Sequence, residues 1–80
     1  LAYHSIRKRV AEALVKLYNT YQQEEQAKIT ILRDDLARMV GTAKESVIRT
    51  LTDFKQEGLI AIDHGVIEIL EEATLQALPN

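Results

Sequence analysis

Eighty residues with a formal net charge of −2 allow one small domain and exclude a second. Apolar residues at 46% with 28% charged exclude a disordered chain. The absence of cysteine excludes disulfides, thiolate metal sites and thiol nucleophiles, and fits an intracellular, cytoplasmic protein.

The charge is uneven. Residues 1–50 carry nine Lys or Arg against six Asp or Glu, a balance of +3, and residues 51–80 carry one against six, a balance of −5. The overall pI near 5.6 counts against a free-standing nucleic-acid binder, whose domain pI is usually above about 9. Local charge weighs more, because screening confines each charge to roughly 10 Å. No apolar run approaches the roughly 20 residues that span a bilayer, and no signal-peptide pattern opens the chain. No membrane partner is expected. Ordered-reading sequence begins at once at Leu1, so the chain reads as the C-terminal piece of something longer.

The first predicted element is an amphipathic helix over about 5–21. Ile6, Val10, Ala13, Leu14, Leu17 and Tyr21 repeat with the 3.6-residue period. Ser5 is its candidate cap, and Arg7, Lys8, Arg9 and Lys16 take its wetter sides. Residues 22–26 lack an apolar anchor and read as a solvated connection. The β-branched run over 27–32 predicts a strand. RDDLARMV then predicts a short helix, with Asp34 and Asp35 in the first turn, where carboxylates favour the positive end of the helix dipole. Gly41 breaks it. The next helix, over about 43–57, places Val47, Leu51 and Phe54 on one stripe and stops at Gly58. LIAI and VIEIL, separated by DHG, predict a hairpin with a glycine-assisted turn over about 59–70. EEATLQAL adds a closing helical turn or two before Pro79. The expected architecture is mainly α with a small β wing, an α+β winged helix-turn-helix whose two-helix unit spans about 33–57.

The turn of that unit has a steric requirement. Two helices crossing steeply need a small residue where they touch and a residue tolerant of positive φ between them. Ala37 meets the first need and Gly41 the second, while Leu36, Val40 and Val47 fill the angle.

With these residues in place, RDDLARMVGTAKESVIRTLTDFKQEGLI resembles the C-terminal DNA-binding domain of the Crp/Fnr family of bacterial transcription regulators. The family pattern runs Arg-x-(Asp/Glu)-(Leu/Ile)-Ala-x-x-(Val/Leu)-Gly, then x-(Ser/Thr)-(Arg/Lys)-Glu-(Ser/Thr)-Val-x-Arg-x-Leu. Arg33, Leu36, Ala37, Val40, Gly41, Lys44, Glu45, Ser46, Val47, Arg49 and Leu51 match it, as do Gly58, Leu59 and Ile60 before the wing. Four residues depart from the pattern. Leu32 and Ala43 stand where Ser or Thr usually caps the two helices, Thr50 replaces an aliphatic, and Val66 stands where the wing is commonly basic. The resemblance implies sequence-specific binding of double-stranded DNA, usually as a homodimer, in signal transduction to transcription, with RNA polymerase as a further partner. It implies no cofactor within these residues. A cyclic nucleotide or other effector would belong to an N-terminal sensor domain outside them.

At 100° per residue, Glu45, Arg49, Thr52 and Gln56 fall opposite the Val47 stripe, with Ile48 at the flank. A recognition helix presents its N-terminal part to base edges in the major groove. Lys44, Glu45 and Arg49 are therefore the candidate base readers. Arg49 suits guanine O6 and N7, Lys44 the same acceptors or a phosphate, Glu45 cytosine N4, and Ile48 a thymine methyl. Arg33, Thr42, Ser46 and His64 are the candidate phosphate donors. Structural readings of the same residues stand beside these. Thr42-x-x-Glu45 is a shifted capping box, Glu45 and Arg49 are a possible i, i+4 surface pair, and His64 suits a turn. Arg7, Lys8 and Arg9 read as a solvated face or as part of the approach to DNA. The acidic C-terminal part is expected to face away from the duplex or to limit affinity.

An enzyme is not expected. His4 and His64 are isolated, without metal-ligand spacing, and the adjacent pairs Asp34–Asp35 and Glu71–Glu72 diverge on a helix. No catalytic residue and no metal ligand is assigned. The competing class is a winged helix used for protein–protein contact without specific DNA binding, which Ile48, Val66 and the acidic tail would suit.

Overall fold

The computed structural model describes residues 5–21 and 28–79. The connection expected over 22–26 and the Ala27 end of the expected strand lie outside them.

Helix α1 (Ile6–Tyr21) starts at the expected cap: the Lys8 N–H donates to Ser5 Oγ at 3.1 Å. Val10, Ala13 and Leu14 are buried as its period requires, and Ile6 and Leu17 are half-buried. Ala11 is fully buried as well, outside the expected stripe. The wider face follows from position, since α1 is the element on which the strand β1 and the helices α2, α3 and α4, whose ranges follow, all pack.

Strand β1 covers only Lys28–Ile29, shorter than the β-branched run predicts. Its partner explains the difference. It pairs antiparallel with β3 (Val66–Ile69), Lys28 opposite Glu68 and Ile29 opposite Ile67. One residue further that ladder reaches Val66, the last strand residue before the turn of the hairpin, and the chain leaves it there to enter α2. β2 (Ile60–Asp63) pairs along the other edge of β3, so the wing belongs to a three-stranded sheet of order β1-β3-β2 rather than standing as two strands. Asp63 and Val66 close the hairpin around His64 (φ 51) and Gly65 (φ 80). Positive φ at both central residues is the tight turn whose twist matches the strands.

Helices α2 (Arg33–Val40) and α3 (Lys44–Gln56) meet across the Gly41 turn. Gly41 has φ +80, and its N–H and that of Thr42 both donate to the Ala37 carbonyl, at 2.8 and 3.1 Å. Leu36, Ala37, Val40 and Val47 are buried in the angle, as expected. α3 ends in a 6→1, 5→2 bond pair: Leu59 N–H reaches Phe54 O at 3.0 Å, and Gly58 N–H reaches Lys55 O at 3.1 Å. Thr50, the departure from an aliphatic, is buried, and its hydroxyl donates to the Ser46 carbonyl at 2.8 Å. A hydroxyl thus enters the core with its hydrogen bond satisfied inside its own helix.

The chain ends in α4 (Glu72–Gln76), which packs on α1 with Leu75 fully buried. One core joins all these elements, with Phe54, Leu14, Ile29, Leu51, Ile67 and Leu75 among its largest buried side chains. Each such burial stabilises by about 1.5–3 kcal/mol before the entropy of ordering is counted. Among the described residues no helix is long and apolar enough to cross a membrane.

Candidate nucleic-acid interface

The amphipathic period of α3 decides which residues the site can use. Val47, Thr50, Leu51 and Phe54 turn inward, and Lys44, Glu45, Ile48 and Arg49 are exposed. Ile48 is 44% exposed, a large apolar side chain left beside the charged ones. Among the described residues, Arg49 and Glu45 make no hydrogen bond or ion pair, so the i, i+4 surface pair is not formed. The capping box is not formed either. Ala43 is the residue at the cap, with ψ 149 and no side-chain bond. Thr42 lies one position too early, and its N–H is committed to Ala37 O.

Both helices of the unit begin without a side-chain cap, at Leu32 for α2 and at Ala43 for α3. Apolar side chains cannot accept the first N–H groups, which leaves those donors to solvent or to an incoming anion. The two cap departures in the sequence were the signal for these backbone donors.

The phosphate candidates fall into two groups. Arg33 and His64, 31 residues apart in sequence, line one open groove of about 710 Å³ between the start of α2 and the wing tip, with Thr30, Ile31, Leu32, Asp35, Gly65 and Val66. Arg33 is half-buried and donates from Nη1 to its neighbour Ile31 O at 3.2 Å. His64 is almost fully exposed, with Nδ1 2.8 Å from Asp63 Oδ1. Its turn role and its exposure coexist. Thr42 and Ser46 are half-buried at the interhelical turn and in the first turn of α3. The starts of the two helices are tied by an ion pair absent from the sequence reading: Lys44 Nζ lies 3.6 Å from Asp34 Oδ1.

Two residues of the basic run of α1, Arg7 and Lys8, are held by partners within the domain. Arg7 makes a two-pronged pair with Glu57, at 2.7 and 3.0 Å, and its guanidinium stands 5.0 Å from the Phe54 ring centroid. That hydrogen-bonded pair raises the Arg7 pKa and holds the Glu57 carboxyl below its ordinary value of 4.5. Lys8 donates to Leu78 O at 2.7 Å, which ties α1 to the C-terminal segment. Arg9 is half-buried, with an Nε that has no partner among the described residues. These contacts join residues about 50 and 70 positions apart. No local pattern encodes them.

Residues 8–78 match the Crp-like helix-turn-helix domain family. The chain is 33% identical over 78 residues to the cyclic AMP receptor protein of Thermus thermophilus, which spans 98% of this chain and 35% of that protein. It is 32% identical over 81 residues to the transcriptional regulator SdrP of the same organism, across 98% of this chain and 40% of that one. It superposes on the crystal structure of the Thermus thermophilus catabolite activator protein with a TM-score of 0.76 and 35% identity, over 89% of this chain and 32% of the other. The chain therefore spans well under half the length of these relatives. The Gly41 turn, the outward face of α3 and the hairpin sit within the matched residues, and the chain belongs to the Crp-like helix-turn-helix domain family.

Proposed function

We propose that this chain is the DNA-binding part of a transcription regulator, with α3 entering the major groove of double-stranded DNA. The observation that carries this reading is the pair Arg49 and Glu45. Both are exposed one helical turn apart, opposite the buried stripe of α3, and neither is held by another described residue. Arg49 donates two parallel hydrogen bonds to guanine, Glu45 accepts from cytosine N4, and Ile48 packs on a thymine methyl. Lys44 reaches a base acceptor or a phosphate. The uncapped N–H groups at the start of α3, with Thr42 and Ser46, anchor one phosphate. Arg33 and His64 flank the groove through which the second strand's backbone passes.

A two-fold DNA site with half-sites about 34 Å apart calls for a homodimer. The dimer contacts, and any cyclic nucleotide or other effector, belong to a region outside these residues, and RNA polymerase is a further partner of the regulator. The setting is the cytoplasm.

The test is selection of a duplex from a random pool, followed by affinity measurements across a salt series. Binding should weaken steeply with salt. Arg49→Ala should cost about 1–3 kcal/mol of discrimination at one base pair and leave the other positions readable. Lys16→Ala, which removes one positive charge from α1, should leave the preferred sequence intact. No enrichment of any sequence, or an unchanged preference in Arg49→Ala, would refute the reading.

A further inference from the structure

Of the three charged candidate base readers, Lys44 alone has an acidic partner among the described residues. Its ammonium lies 3.6 Å from Asp34 Oδ1, with the two side chains 50% and 58% exposed. The Gly41 turn makes the pair, because it folds the first turn of α2 back onto the first residue of α3. Asp35, the next residue, is used differently: it accepts from Arg38 of its own helix at 2.9 Å. Asp34 also stands at a position that the Arg-x-(Asp/Glu) pattern leaves open, so its carboxylate is a feature of this chain.

We propose that Asp34 sets the DNA affinity of this domain by competing with the duplex for the Lys44 ammonium. The inference rests on the reading of Lys44 as a DNA contact. In the free protein Lys44 is paired with α2. To reach a base acceptor or a phosphate it must leave that carboxylate, and Asp34 then stands beside the incoming polyanion without its cation. Both effects lower affinity, but only the first depends on Lys44. An exposed ion pair withholds little, so the expected effect is modest. Removing the competitor should tighten binding by about two- to fivefold.

The test is a double-mutant cycle on DNA affinity, with the selected duplex at one fixed salt concentration. It compares wild type, Asp34→Asn, Lys44→Met and the double variant, with Asp35→Asn, which removes a neighbouring carboxylate and frees Arg38 rather than Lys44, as the gauge of charge removal that does not act through Lys44. The proposal expects Lys44→Met to weaken binding. It expects Asp34→Asn to tighten it more than Asp35→Asn does, and that extra gain to vanish in the Lys44→Met background. A gain from Asp34→Asn that persists without Lys44, or that Asp35→Asn matches, overturns the competition while leaving Lys44 as a contact. An unchanged affinity in Lys44→Met instead removes the contact itself, and the competition with it.

Discussion

Replacing Gly41 by alanine tests whether the turn between α2 and α3 depends on backbone freedom or on space. Among the described residues the added Cβ would meet only Arg9 Nη1 within 4 Å, at 3.9 Å, which is ordinary van der Waals contact. No steric penalty follows. The backbone is another matter, because φ is +80 and a left-handed L-residue costs about 1–2 kcal/mol. Alanine also restricts the unfolded chain, which returns about 0.4–1 kcal/mol. The net loss should be about 1 kcal/mol, or about 4–8 °C in Tm for a domain of this size. Gly58 is the internal comparison, with φ +77 and no described residue within 4 Å of an added Cβ, so Gly58→Ala should lose the same amount. Gly41→Asn should lose less, since asparagine visits the left-handed region more readily. The assay is urea unfolding followed by far-UV circular dichroism, with equal m-values required. An alanine at 41 that costs over about 1 kcal/mol more than one at 58 would show that close packing governs the turn. An alanine at 41 that costs nothing would refute the strain argument.

Two further outcomes follow from contacts outside the interface. Glu57 has a depressed pKa in the folded protein because Arg7 holds its carboxylate, so its contribution is present above the ordinary value of 4.5 and is lost as pH falls through the folded value. Glu57→Gln should therefore lower Tm at pH 7, and its Tm should converge on that of wild type below pH 4.5; a gap of constant size across that range would refute the pairing. Leu75 is fully buried although α4 has only five residues, so Leu75→Ala should destabilise the whole domain by about 2–5 kcal/mol in urea unfolding. A small loss there, with the first three helices and the wing unaffected, would make α4 an appendage rather than part of the core.

The elements that repeat a local rule were legible in the sequence. The outward placement of Glu45, Ile48 and Arg49 needs only the 100° step of a helix whose other face carries Val47, Leu51 and Phe54. The glycine at 41 needs only the φ that a tight interhelical turn demands, and the hairpin needs only a glycine-assisted turn, although Asp63, read as part of that turn, pairs in β2. A shifted capping box was equally readable and did not form. Its spacing exists, but the helix begins one residue later than that box requires, at Lys44 with Ala43 as its cap.

What the sequence alone determined is thus the period of each helix, the positions of its breaks and the face that α3 turns to solvent. Tertiary structure decided which distant groups meet. β1 joins β3 and stops at Ile29, one residue short of the hairpin's last strand pair, where the chain leaves the sheet for α2. Arg7 stacks on Phe54 and clasps Glu57 from another helix, and so leaves the basic surface that its neighbours in sequence suggested. Asp34 finds Lys44 across the turn. The physical reason is common to all three. Periodicity and φ preference act within a few residues, whereas these contacts depend on the angle and register at which separate elements pack.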